Sequence, residues 1–342
     1  MIEKILPGIF RIELPLPDFA LQTVNSYLLK GDERDLLIDS GIDEKECRTA
    51  LLKALRELDV DLERTDFFIT HFHEDHFGLA PSIASNRSTI YLTFPEAVYW
   101  EDPGRWKAGL VHGLKNGFPE EELKKFINNT PDFLKKFPLD EIKEAVKFYE
   151  GRTPSGKTRF QIIGDGEILN VGKYSFRCLM TPGHSCGHIC LYEPNEKLLF
   201  SGDHILETIT PAIFLWSGDD QNPLADYLRS LDRVFNLEIK TILPGHRRTF
   251  RNHRERILEI KKHHCRREGE IASVLDVNGK SAYEIASKVS WNIPLPWDKF
   301  TVELRWMALA ETLAHLKYME QRGKVKSISQ GSNNKNLYCS SC

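Results

Sequence analysis

The chain has 342 residues, 41% of them hydrophobic and 28% charged, with a net charge of −3. That is the balance of a soluble globular protein with ample core, long enough for two domains or one large domain with additions. A charge so near neutrality sets up no global field for nucleic acid or a membrane surface, and seven scattered cysteines do not make a disulfide framework.

The N-terminus, Met1 to Gly8, carries charge and proline where a signal peptide needs an apolar core, and no stretch approaches the length of a membrane span. A cytoplasmic enzyme with no membrane partner is the expectation. Residues 4–39 read as β-structure: Gly8–Leu14 alternates, Thr23–Leu29 follows a loop, and the charged turn 31–35 leads into Leu36–Ile38. That run ends in Asp39-Ser40-Gly41, a sharp turn into a helix whose Leu51, Leu52, Leu55 and Leu58 keep helical spacing. Strands, a helix and another buried strand, Phe67-Phe68-Ile69, imply a layered α/β architecture.

Directly after that strand stands Thr70-His71-Phe72-His73-Glu74-Asp75-His76-Phe77-Gly78. A continued strand would put His71 and His73 on one face, and a following helix would bring Asp75 and His76 round beside them. Neutral imidazole and carboxylate are ligands of zinc, and of iron or manganese where oxygen weighs more. Asp39 reads either as a hydrogen-bond partner of a ligand histidine or as a cap of its own turn.

Residues 92–155 read as a mostly helical insertion, with helices opening at Pro95 and Pro119 and a third over Leu139–Tyr149. Its aromatic residues, Tyr99, Trp100, Trp106, Phe118, Phe126, Phe133 and Phe137, suit either the insertion's own core or a lid over the site. His112 falls here without an assigned role. β-structure returns at Phe160–Ile163 and Tyr174–Leu179 and ends in Thr181-Pro182-Gly183-His184-Ser185-Cys186-Gly187-His188. Two further strands stop at Ser201-Gly202-Asp203-His204 and at Pro244-Gly245-His246. Strand ends therefore deliver His184, Asp203 and His246 to one rim, enough with the first cluster for two metals sharing a carboxylate. His188 and His204 exceed the ligand count, and Cys186 and Cys190 read as inert filling.

Residues 251–326 read as an appended domain: a helix over Arg254–Leu275, a short one begun by the capping box Ser281 with Glu284, and a third over Val302–Arg322. Gly323 ends the last helix and Lys324-Val325-Lys326 starts a wing strand. Three helices with a wing resemble a nucleic-acid-binding module, and residues 240–270 hold ten Lys/Arg against four Asp/Glu, although a solvated helix face gives the same count. Residues 327–342, rich in Ser and Asn and ending Cys339-Ser340-Ser341-Cys342, read as a disordered tail.

In these motifs and their order the sequence resembles the metallo-β-lactamase-fold hydrolases, over about residues 5–250 apart from the insertion. The resemblance implies an αββα sandwich, with the helical insertion and a C-terminal winged-helix-like domain added to the catalytic domain of residues 1–250. It implies two divalent ions, Zn2+ first and Fe or Mn as alternatives. His71, His73 and His184 would hold one ion, Asp75, His76 and His246 the other, and Asp203 would bridge them. A hydroxide shared by the ions would be the nucleophile, oriented by Asp75 as the catalytic carboxylate. Asp203 stands where many true β-lactamases carry cysteine, which argues against antibiotic hydrolysis. The Thr-Pro-Gly-His-x-x-Gly-His stretch resembles glyoxalase II-like hydrolases, and 201–206 with 222–228 resemble a winged-helix-tailed branch that includes endoribonucleases. The leading expectation is hydrolysis of a small thioester, ester or lactone, the C-terminal domain closing the cleft or packing a homodimer. A metal-dependent endoribonuclease acting on RNA and a mononuclear iron persulfide dioxygenase are the alternatives.

Overall fold

The alternating apolar positions at the N-terminus form an antiparallel meander of β1 (Ile2–Leu6), β2 (Ile9–Pro15), β3 (Thr23–Leu29) and β4 (Asp35–Ile38). The computed structural model describes residues 1–17, 21–99, 103–129, 159–217, 221–330 and 335–341. These divide into two compact units, the first drawn from Met1–Glu101, Pro138–Pro211 and Ser230–Ile257.

In the first unit α1 (Lys45–Glu57) buries Cys47, Leu51, Ala54 and Leu55, the stripe expected of an amphipathic helix. β5 (Thr65–Phe68) then joins β4 in parallel, its Phe67 and Phe68 both fully buried as a central parallel strand requires. Two four-residue helices, α2 (Glu74–Phe77) and α3 (Ala80–Ile83), precede β6 (Thr89–Leu92) and α4 (Phe94–Tyr99). β7 (Arg159–Ile162) completes a seven-stranded mixed sheet ordered as in the sequence. The second sheet runs β12-β11-β10-β9-β8, from β8 (Ile168–Val171), β9 (Tyr174–Met180), β10 (Ile189–Glu193), β11 (Leu198–Gly202) and β12 (Thr241–Pro244). Ile9, Tyr27, Leu36 and Phe68 of the first sheet share one buried cluster with Phe176, Leu191, Phe200 and Leu243 of the second. The sheets thus pack face to face, in the α/β sandwich the resemblance implies.

The second unit comprises Asp102–Phe137, Ala212–Arg229 and Leu258–Cys342. It holds α5 (Pro103–Lys115), α6 (Glu120–Asn129), the first turns of α7 (Pro223–Phe235), most of α8 (His253–Val274), α9 (Ala282–Ala286) and α10 (Val302–Gln321). Sequence pattern assigns the 92–155 insertion to the catalytic domain and makes 251–326 separate; the structure gathers insertion residues with the C-terminal helices. Phe118 lies edge-on to Trp306 at 5.0 Å and to Tyr283 at 5.4 Å, and Arg305 pairs with Glu122 at 2.6 Å. Phe118 therefore serves a core made with residues far along the chain. The other six insertion aromatics, and the expected helix at 139–149, fall outside the described residues and side chains.

The capping box at Ser281 and Glu284 is present with both reciprocal bonds. The expected disordered tail is not what forms. β13 (Val325–Gln330) and β14 (Lys335–Ser340) make an antiparallel hairpin in register from Val325 with Ser340 to Gln330 with Lys335. Its anchor is Tyr338, buried, exchanging two backbone bonds with Lys280 and donating its hydroxyl to Asn116 Oδ1 at 2.9 Å. Ser/Asn-rich composition conceals a strand whose partners lie elsewhere in the unit. Cys342 of the terminal Cys-x-x-Cys lies outside the described residues.

Candidate metal centre

The seven candidate side chains gather on one rim of the first unit, on segments that follow the ends of four strands. β5 stops at Phe68, so His71 and His73 sit on a loop and not, as expected, on a continued strand. The loop still brings them together, with His71 Nε2 2.9 Å from His73 Nδ1. α2 places Asp75 and His76 in its first turn. His184 follows β9, Asp203 follows β11 and His246 follows β12. The carboxyl ends of neighbouring strands are where an α/β layer opens a crevice.

Two triads result. In the first, His184 Nε2 is 3.1 Å from His73 Nδ1, and with His71 their ligand atoms lie within 4.8 Å of one another. In the second, His246 Nε2 is 3.2 Å from Asp75 Oδ2 and 3.3 Å from His76 Nε2. Asp203 stands between them: its Oδ2 is 3.7 Å from His184 and 3.4 Å from His246, and its Oδ1 is 3.6 Å from His76.

Hydrogen bonds on the far side of three rings fix their tautomers. Asp39 accepts from Thr70 N and Thr70 Oγ1, both at 2.9 Å, so the Thr70 oxygen is left to accept the His71 Nδ1 proton at 3.0 Å. The other Asp39 contact takes the His76 Nδ1 proton at 2.7 Å. Thr23 O takes that of His246 Nδ1 at 2.7 Å. All three rings therefore turn Nε2 toward the centre. Asp39 does this from the left-handed region, φ 54°, where its backbone N–H is held by Phe68 O and its carbonyl by Ser26 Oγ.

Charge follows burial and partners. Burial, then the neighbouring imidazoles His76, His73 and His184, push His71 well down; burial and His184 push His73 down to about 3. Burial works against the charge on His76, but Asp39, Asp75 and Asp203 hold it up at about 9. His246 rises for the same reason, Asp203 foremost among the carboxylates. Burial opposes ionisation of Asp75 and Asp203 as well, yet His76 and His246 hold Asp75 down to about 2 and Asp203 well below the carboxylate range. Neutral ring nitrogens facing each other at 2.9 to 3.1 Å, beside ionised carboxylates, are a donor set that fits a divalent cation. The buried Asp203 Oδ1 accepts no hydrogen bond, as a metal-directed oxygen would not.

The remaining candidates are committed elsewhere. His188 donates from Nδ1 to Thr181 Oγ1 at 2.8 Å and accepts the Asp203 backbone N–H on Nε2 at 3.1 Å, so it positions Asp203. His204 is buried and pushed down to about 3 by burial. Cys186 Sγ is directed to Pro95 O at 3.7 Å, and His112 belongs to the second unit. Sequence reasoning missed Glu96, taken only as a helix opener. It is 2% exposed and accepts hydrogen bonds from both ligand-bearing loops. The available signal was an acid in the first turn of the helix that follows a buried strand.

A family model described as the metallo-beta-lactamase superfamily matches residues 21–246. A probable metallo-hydrolase of Bacillus subtilis (strain 168) is 26% identical, the match covering 94% of this chain and 95% of that protein. An acyl-coenzyme A thioesterase of Homo sapiens is 24% identical, over 78% of this chain and 87% of its own length. The crystal structure of a metallo-beta-lactamase family protein from Thermus thermophilus superposes with a TM-score of 0.76 at 29% identity, covering 98% of this chain and 100% of that one.

Proposed function

The chain belongs to the metallo-beta-lactamase superfamily, and we propose that this metallo-hydrolase cleaves an acyl thioester at a centre of two divalent ions, Zn2+ first. In this reading His71, His73 and His184 would hold one ion and Asp75, His76 and His246 the other, with Asp203 between them available to both. The observation that carries it is the convergence of both triads on the Asp203 carboxylate, with Nε2 of three histidines turned inward by partners on the far side of each ring.

Two such ions supply a water activated near neutral pH and a Lewis acid for the scissile carbonyl. The chain's own part is orientation and charge. In this reading Asp75, whose carboxylate lies 3.2 Å from His246 Nε2 within the second triad, would orient the attacking water. A carboxylate that holds a cation is deprotonated, and so a poor proton donor to a leaving group. That suits a thioester, because a thiolate with a conjugate-acid pKa of about 8.5 departs without a general acid. The thioesterase name of one relative supports the same substrate class.

The test is metal content by plasma mass spectrometry on wild type and Asp203→Ala, with thiol release from an acyl-coenzyme A followed colorimetrically. Two ions per chain, falling toward one in the variant, and thiol release lost on chelation and restored by Zn2+, are expected. A single iron indifferent to Asp203→Ala, with oxygen uptake, would sink the proposal, as would cleavage of RNA without any thioester turnover.

A further inference from the structure

Strand β6 runs out into Thr93, Phe94, Pro95 and Glu96, and the last of these turns its carboxylate back into the protein beneath the ligand loops. Glu96 Oε2 accepts the backbone N–H of Phe72, the residue between His71 and His73, at 3.1 Å. Oε1 accepts the backbone N–H of Gly187 at 2.6 Å and the Ser185 hydroxyl at 2.6 Å, both in the loop that follows His184. Thr93 adds a second tie to the same loop, its Oγ1 donating to Gly187 O at 2.7 Å. The approach is close enough to require glycine at 187: an added Cβ would stand 2.4 Å from Thr93 Oγ1 and 2.8 Å from the Glu96 backbone nitrogen.

Three donors meeting on two oxygens need a group that only accepts, which an ionised carboxylate is and an amide is not. Burial raises the Glu96 pKa, and the Ser185, Phe72 and Gly187 donors offset only part of that rise. The bonds also fall unevenly on the centre. They bracket His71, His73 and His184, and none reaches the backbone of Asp75, His76 or His246, whose rings are set by Asp39 and by Thr23 O.

We propose that Glu96 is the positioning residue of the first triad, one carboxylate fixing the distance between the His71–His73 loop and the His184 loop and so the affinity of one of the two ions. This rests on the two-metal reading above. It assigns to Glu96 a selective effect: a general fold staple would weaken both ions alike, or neither.

The test is Zn2+ titration of the full chain against a chromophoric chelator, resolving two binding steps, in wild type, Glu96→Gln, Ser185→Ala, His184→Ala and His246→Ala. Melting of each metal-free chain is recorded alongside. Glu96→Gln should weaken one step by about 10- to 100-fold, as loss of a ligand-orienting partner does, and leave the other unchanged. The weakened step should be the one that His184→Ala abolishes and His246→Ala spares. Ser185→Ala, which removes a single donor at the loop surface and keeps the carboxylate, should weaken the same step by about two- to tenfold, so a poorly folding Glu96→Gln does not end the test. Equal losses in both steps, or a lowered melting point with both steps intact, overturn the assignment while two wild-type ions keep the two-metal reading standing. A wild-type chain that takes up no metal overturns both.

Discussion

At the scale of single residues, the centre is built as much by what cannot be present as by the ligands. Gly245 immediately precedes His246, and a Cβ there would lie 2.5 Å from Asp203 Oδ1 and 2.6 Å from His76 Cε1. Gly245→Ala should therefore displace the carboxylate between the triads while removing no ligand. Overpacking of this kind costs about 1–3 kcal/mol, so a lowered urea midpoint together with loss of one bound ion is expected; retention of both ions at wild-type affinity would contradict it. The candidate ligands were legible in the sequence because imidazoles and carboxylates at strand ends have few other reasons to cluster. The groups behind them were not. Glu96 looks like any acid opening a helix, and Thr23 acts through a backbone carbonyl that carries no side-chain signature at all.

At the scale of elements, local pattern located most helices and strands to within a residue or two, because capping and apolar periodicity are encoded locally. The helix expected over Arg254–Leu275 is His253–Val274, and that over Val302–Arg322 is Val302–Gln321. The failures are elements whose partner is remote. Residues 325–340 were expected to start as a wing and dissolve into a tail, yet they form a hairpin held by Lys280 and Asn116. Tyr338→Phe tests that anchor, since it leaves the fully buried Asn116 carbonyl oxygen without its donor. An unsatisfied buried acceptor costs about 1–3 kcal/mol, which should appear as a lower unfolding midpoint with metal content and turnover unchanged. An unaltered midpoint would mean the hairpin contributes nothing to the stability of its unit.

At the scale of the whole molecule, the buried histidines give the metal-free chain a particular pH dependence. His71, His73, His188 and His204 in the first unit and His264 and His315 in the second are all pushed down by burial, so they stay neutral in the folded state where the unfolded chain takes protons. Their contribution is lost as pH falls below the ordinary histidine value of about 6.5. Glu96, Asp226 and Glu311 run the other way, raised by burial, but they are three groups against six. His76, held up at about 9, and His246 contribute stability that is fully present below about 6.5 and disappears as pH rises through their folded values. The urea midpoint of chelated protein should thus peak near neutrality and fall toward both pH 4 and pH 8.5. Saturating Zn2+ should abolish the alkaline fall, because ions replace the protons on those two rings. An alkaline fall that persists in the metal-loaded protein would place its cause outside the centre.

Among the described residues no helix is long and apolar enough to cross a membrane. The sequence by itself determined a layered α/β architecture, the rim on which the site lies and the seven side chains that meet there, because alternation, strand-end turns and side-chain chemistry are written within short windows, and its resemblance to a known family implied the sandwich. Tertiary structure alone decided which insertion residues share a core with the C-terminal helices, that the tail pairs as a hairpin, that Glu96 and Thr23 O hold the candidate ligands in place, and which of its two readings Asp39 takes. Those contacts join residues up to more than two hundred positions apart, and their strength comes from burial and geometry that no local pattern carries.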